Sequence, residues 1–406
     1  MAAGVGEEFD LMGQGSRVRF FRLAEALTLA ATALSLTGCS GFFTSIGTGG
    51  TVGNGTSTYA YVANAGGTLA EYSLTSGVLA ALSGSPITLP LSPTSIVVAP
   101  NNAFVYIGTG TGAFLYTINS DGTLTEGNGN NVAYLNPNDQ TLIAESMVID
   151  PTSSWLLIAY QSSKVLDAVQ ISPTTGLPTG AEFSINSSAS TPNPQLAISP
   201  ANTQVYVAMG AGGTEAIGFN PKGTTAPNGP WSTTGVNIGL LTTDGGTADT
   251  AVAVDSTSTY VYIAEQNTNS SAEATAGTVR MLATANLAKD LDDETVGIGP
   301  SAILSDLTGA YVYVANGSDG TISGFSLTTA TQKLTSLGTA FPTEQSPIAL
   351  AEDSSKGYVM SVGNKANPNL WLYSFDATNL GSLDVGSTKS TASTNPAAST
   401  GIALTH

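Results

Sequence analysis

A short phrase of alternating apolar residues returns seven times along the chain: YAYVA at 59–63, FVYIG at 104–108, WLLIA at 155–159, QVYVA at 204–208, YVYIA at 260–264, YVYVA at 311–315 and YVMSV at 358–362. Successive copies start 45 to 56 residues apart. Each is β-branched and aromatic with a period of two, and Gly, Asn or Ser follows, so each predicts a strand. In YVYVA, Tyr311, Tyr313 and Ala315 face one way while Val312 and Val314 face the other. Both faces are mostly apolar and both need cover, which predicts sheets stacked face to face.

The residues before each phrase repeat as well. An apolar run ends in turn-forming residues in SIVVAPNNA (95–103), SMVIDPTSS (146–154), QLAISPANT (195–203), AVAVDSTST (251–259), SAILSDLTGA (301–310) and PIALAEDSSKG (347–357). Pro, Asn, Asp and Ser at a fixed offset supply tight-turn chemistry. A third strand follows, as in AFLYTI (113–118) or TISGFSL (321–327), then a weaker fourth, as in TLTEG (123–127) or KLTSLG (333–338). Four strands per unit at this period predict the blades of a β-propeller. The first phrase lacks an apolar run before it, and the last run, Gly401-Ile402-Ala403-Leu404, lacks a phrase after it. The count balances if the C-terminal segment joins the first blade, which also removes the open sheet edges of a linear array. The expected fold is all-β: one seven-bladed propeller over 59–406.

The N-terminus has a different grammar. Arg17, Arg19 and Arg22 precede a short, mainly apolar stretch, Leu23–Leu36, broken by Glu25. A basic start, an apolar core and small residues at its end predict a secretory signal over 1–38, too short for a spanning helix. Met12 is an alternative start. Leu36-Thr37-Gly38-Cys39 resembles the lipobox of bacterial lipoproteins, which implies that Cys39, the only cysteine, is diacylated and becomes the mature N-terminus. Buried acyl chains contribute about 0.8 kcal/mol per CH₂, so two or three anchor stably. Ser40 after the cysteine points, by analogy with lipoprotein sorting, to the outer membrane of the cell envelope. The Gly/Ser/Thr-rich stretch 39–58 would be a tether spanning about 25 Å on average.

Charge narrows the partners. The net charge is −18 and only 10% of residues are charged. Such a balance repels phosphate backbones and excludes nucleic acid as a ligand. The surface is expected to be a neutral skin of Thr, Ser, Asn and Gly on a monomer, with an envelope protein or a carbohydrate as the expected partner.

YVAN at 61–64 and at 313–316 resembles the YVTN repeat of bacterial surface propellers. Phrases of the FVYI and YVYVAN type, with hairpins such as Asn119-Ser120-Asp121-Gly122, make 59–404 similar to the lactonase-family propellers, the fold of bacterial 6-phosphogluconolactonase. That resemblance implies lactone hydrolysis at the mouth of a central funnel lined by histidines and arginines. Here the approaches to the inner strands read SPTS (92–95), AESM (144–147), NPQL (193–196), ADTA (248–251) and GPSA (299–302), without either residue type. The single histidine, His406, is the last residue and is expected to fray. Holding a phosphorylated lactone needs cations, and activating water needs a base.

Two functions therefore stay open: a non-catalytic binding or scaffold propeller, or a divergent lactonase that uses acids. Glu145, Asp249 and Glu265 are the candidate catalytic acids. Asp244, Glu344, Lys164, Lys365 and Trp231 are candidate ligand contacts, Trp231 as a platform for a sugar ring. No cofactor is expected, although several of these carboxylates meeting on the axis could hold Ca²⁺, which takes about six to eight oxygens. Asp290-Leu291-Asp292-Asp293-Glu294 reads as an exposed turn, Gly108–Gly112 as a hairpin loop, Trp155 as core, and 265–278 as the longest loop after a phrase.

Overall fold

The computed structural model describes residues 58–127, 132–134, 142–240, 246–268, 275–392 and 398–406, so Cys39 and Asp244 lie outside the described residues. All of its regular structure is strand, arranged in seven antiparallel sheets. In blade two the path runs Pro93–Val98, Phe104–Thr109, Gly112–Ile118, Leu124–Glu126, from the inner strand to the outer. Every phrase is the second strand of its blade. Gly110 and Thr111 form the hairpin turn expected of Gly108–Gly112. In blades one, two and six the weak outer strand is split, as in Lys333–Ser336 and Phe341–Pro342, which pair with different parts of Thr321–Thr328.

The C-terminal strand Ser399–Leu404 is the inner strand of blade one. It pairs antiparallel with Thr58–Asn64 in the register Ala60↔Leu404, Tyr61↔Ala403 and Val62↔Ile402. The ring is closed as the unpaired run at 401–404 predicts. His406 is not frayed: its N–H donates to Asn102 Oδ1 at 2.7 Å and its carbonyl accepts from Asn102 Nδ2 at 2.6 Å.

Seven clusters of buried apolar side chains lie between neighbouring blades, one at each of the seven interfaces. The last joins Ala60, Val62 and Leu404 of blade one to Met360, Val362 and Leu372 of blade seven. This is why both faces of each phrase are apolar. Alternating residues serve opposite interfaces: Ala60 and Val62 pack on blade seven, while Tyr61 and Ala63 pack on blade two. Trp155 is fully buried in the same way.

The turn between the first two strands of a blade is held by one side chain. Asp150 accepts hydrogen bonds from the backbone N–H groups of Thr152, Ser154 and Trp155 at 3.1, 2.6 and 2.7 Å. Asp255, Asp306 and Asp353 repeat the arrangement in blades five, six and seven. Ser199 does so with its hydroxyl in blade four. The fourth residue of each five-residue turn has a positive φ: Asn102, Ser153, Asn202, Ser258, Gly309 and Lys356.

Blades are also stitched by polar contacts. The Tyr61 hydroxyl donates to the carbonyl of Gly122 in the outer hairpin of blade two at 2.7 Å, and Tyr313 does the same to Gly381 of blade seven at 2.6 Å. A Cβ on Gly122 (φ +83°) would lie 2.2 Å from the Tyr59 ring. Near the axis, Ser95 Oγ donates to the Ala144 carbonyl at 2.7 Å and Ser301 Oγ to the Pro347 carbonyl at 2.6 Å, tying each inner strand to its neighbour.

Candidate functional site

All seven blades line one cavity of about 1310 Å³ at the end of the ring where the phrases terminate. Its wall is built from the starts of the inner strands (Pro93, Glu145, Gln195, Ala248, Pro300, Ser399) and the turns after the phrases (Gly210, Gln266, Ser318, Asn364). Most lining side chains are hydroxyls and amides, with no aromatic, arginine or histidine among the described residues. The charged ones are Glu145, Asp249 and Asp319 against Lys365.

The candidates divide accordingly. Glu145 and Asp249 reach the wall, as does Lys365. Glu145 is half-buried; Gln161 Nε2 donates to its Oε2 at 3.4 Å, and burial pushes its carboxyl above the usual range. Glu265 lies behind the wall, 1% exposed, where Arg280 Nη1 sits 3.3 Å from its Oε2. Glu344 is likewise off the wall. It is 2% exposed between blades six and seven and accepts from Thr343 and from Ser361 at 2.8 Å. Lys164 is not at the cavity: it is exposed and donates to the Ser188 carbonyl at 2.9 Å. Trp231 is no sugar platform, since it is 4% exposed, packs edge-on against Phe219 and donates from Nε1 to the Phe183 carbonyl at 3.0 Å.

Asp249 has the most unusual surroundings. It is directly opposite Glu265 in the pairing of Thr247–Val254 with Tyr260–Asn267. Its backbone exchanges hydrogen bonds of 3.0 and 2.9 Å with Gly210, a bridge between blades five and four. Thr214 Oγ1 donates to Oδ2 at 2.6 Å, and the Glu265 carboxyl engages the Asp249 carboxyl from the adjacent strand. Burial pushes its pKa up to about 7, with the facing Glu265 adding to the rise and Thr214 and Arg280 opposing it.

Sequence reasoning missed two residues here. Asp319 follows the YVAN phrase of blade six, and its Oδ2 accepts from the Ile298 N–H at 2.6 Å. Arg280, buried at 4% exposure, sits between Glu265 and Asp290, with Nη2 3.0 Å from Asp290 Oδ1. The charge run 290–294 is therefore not a turn. It lies inside the outer strand Asn286–Ile298, where Asp290 pairs with Arg280 and Asp292 accepts from Lys333 and from the Leu334 N–H at 2.7 Å. Ion pairing turns Asp290 and Asp292 toward their partners, while Asp293 stays exposed on the outer strand. Among the described residues, no three His, Cys, Asp or Glu side chains come together as a metal site.

No protein-family model matches the chain, and no curated protein sequence does. Solved structures do. A putative 6-phosphogluconolactonase from Bacteroides fragilis superposes with a TM-score of 0.63 at 13% identity, over 88% of this chain and 100% of that one. The periplasmic gluconolactonase PpgL of Pseudomonas aeruginosa does so with 0.63 at 10% identity, over 86% and 99%. A protein from Lactobacillus plantarum gives 0.61 at 14% identity, over 86% and 99%. The fold is that of the lactonase-type propellers. At these identities the likeness extends to the fold alone.

Proposed function

We propose that the chain is a binding propeller of the cell envelope whose funnel takes a hydroxyl-rich ligand without negative charge, a saccharide above all. The carrying observation is the wall itself. Seven blades contribute Ser, Thr, Asn and Gln side chains, with three carboxyls against one lysine. Hydroxyls and amides both give and accept hydrogen bonds, which suits a polyol. A phosphorylated sugar lactone would meet Lys365 as the only cation among the described lining residues and three groups that repel it. The leader, with Cys39 acylated and 39–58 as a tether, would hold such a module at a membrane surface, in keeping with the lipobox-like Leu36–Cys39.

Calorimetric titration of the purified protein with neutral and amino-substituted oligosaccharides tests the reading. Micromolar binding that Lys365 and Asn364 variants weaken supports it; rapid hydrolysis of 6-phosphogluconolactone would overturn it. Globomycin-sensitive processing and palmitate labelling that Cys39→Ser abolishes test the anchor.

One observation favours a second reading, a divergent lactonase. Asp249 is among the residues lining the cavity, and burial pushes its pKa up to about 7, the range that suits a general base. Hydrolysis of an uncharged lactone that Asp249→Asn reduces by a factor of about 100 or more would select it.

A further inference from the structure

We infer that the outer hairpin tips of blades seven and one rest on the lipid surface to which Cys39 would anchor the chain, with the funnel opening to the opposite side. This contact rests on the anchored reading and gives the propeller an orientation.

The cavity lies where the phrases end, so the start of each phrase lies at the other end of the ring. Thr58 opens the first phrase strand and is therefore at that other end, where a tether would leave the ring. In blade one Thr58 is opposite Leu74, and Leu74 is opposite Leu79. Two strand spacings set the chain entry about 10 Å from Leu79. The residue before it, Val78, closes the hairpin that turns at Ser76 and Gly77. A tether of about 25 Å at Thr58 would hold this end, not the cavity, toward the anchor.

The third strand of each blade runs against the phrase, so the hairpin that leads to the outer strand points to this same end. Val78 and Leu380 are the most exposed large apolar side chains among the described residues, at 63% and 71%. Val78 is at the tip of blade one, and Leu380 is in the tip 376–382 of blade seven. At the corresponding tips the other blades expose Asp121, Thr174, Lys222, Ala285 and Gln332. Apolar tips thus occur on the blade that would receive the tether and on its neighbour across the ring closure. Both are seated on tyrosines of the preceding blade: a Cβ on Gly77 would lie 3.0 Å from Tyr358, and one on Gly381 2.2 Å from Tyr311. Exposed Lys356 is in the turn of blade seven at the same end. Asp376 shares the tip with Leu380, but its carboxylate accepts from the Thr378 and Asn379 N–H groups at 2.5 and 3.0 Å. Fixed apolar side chains beside a lysine suit the boundary of a bilayer. There the apolar groups leave water and the ammonium stays among the headgroups.

The test uses the full chain, processed and acylated, in phosphatidylcholine vesicles that contain doxyl-labelled lipid. With Cys39 blocked by its acyl group, single introduced cysteines carry bimane: Ala377→Cys beside Leu380, Ala285→Cys on the tip of blade five, and Ser318→Cys on the funnel wall. The label at 377 is expected to be quenched at least threefold more than those at 285 and 318. Val78→Asp with Leu380→Asp, at two exposed positions, should remove that difference while the protein stays on the vesicles. A difference that survives the double substitution overturns the contact through these tips. Equal quenching at all three sites, with the protein still on the vesicles, overturns the lipid contact, keeps the anchor and leaves the tips to a protein partner. A wild-type chain that does not stay on the vesicles overturns the anchored reading and the contact with it.

Discussion

Thr405 and Tyr59, at opposite ends of the propeller sequence, exchange two hydrogen bonds: the Thr405 N–H donates to the Tyr59 carbonyl at 3.0 Å, and the Tyr59 N–H donates to Thr405 Oγ1 at 2.9 Å. Asp150 and Trp155 do the same within one turn, at 3.0 and 2.7 Å. The ring thus closes by reproducing, across two chain ends, the contact that a continuous turn makes in the other blades. Thr405→Ala removes one acceptor and should cost about 1 kcal/mol. Removing 399–406 also strips the inner strand of blade one, exposing a sheet edge and the blade-one-to-seven core. That truncated chain should fail to give a cooperative melt, whereas Thr405→Ala should give one at a slightly lower midpoint.

The turn aspartates should be far more costly to lose than the closing threonine. Asp150 accepts from three backbone N–H groups and from Asn202 Nδ2 of blade four at 2.8 Å. Asp150→Ala leaves those donors buried or strained and should cost about 3 kcal/mol, read from denaturant midpoints. Lys356 offers the opposite case, since it is exposed with φ +61° at the position where blade six has Gly309. Lys356→Gly should be neutral or stabilising by up to about 1 kcal/mol, because glycine enters this backbone region without strain.

Gly122 should tolerate nothing larger. A Cβ there meets the Tyr59 ring at 2.2 Å, and the backbone is already left-handed. Gly122→Ala should destabilise by about 2 kcal/mol or more through both effects. Tyr61→Phe, which removes only the hydroxyl bonded to the Gly122 carbonyl, should cost about 1 kcal/mol. Urea unfolding of the two variants separates steric from hydrogen-bond loss.

The repeated phrases, their turns and the ring closure were legible because each recurs at a nearly fixed period, and period two identifies a strand without knowledge of its partners. The wall residues Glu145 and Asp249 were legible for the same reason, as the second residues of matching approaches to the inner strands of blades three and five. Lys365 was legible as part of a loop that follows a phrase. What stayed hidden depends on partners distant in sequence. Arg280 acquires meaning only beside Glu265 and Asp290, and Asp292 only beside Lys333 of the next blade. Trp231 follows a Pro/Gly-rich loop that reads as surface, yet blade three supplies Phe183 to cover it. Charge runs and loop composition report preferences of the isolated chain, and inter-blade packing overrides them.

Acidity should stabilise this ring. Burial pushes the carboxyl of Glu71 up to about 7 and that of Glu352 up to about 8; the Leu124 and Leu307 N–H groups, at 3.1 and 2.6 Å, only partly oppose this. Both therefore keep their protons in the fold at a pH where the unfolded chain has lost them. Between about pH 4.5 and 8 the folded state binds more protons, so stability falls as pH rises through that window. Asp249, with its pKa raised to about 7, acts in the same direction. The unfolding midpoint should be higher at pH 5 than at pH 8. Glu352→Gln, which is neutral throughout and retains an oxygen for the Leu307 N–H, should flatten the upper part of that slope. A midpoint that rises steadily from pH 5 to 8, in wild type and variant alike, would show that these carboxyls ionise freely in the fold.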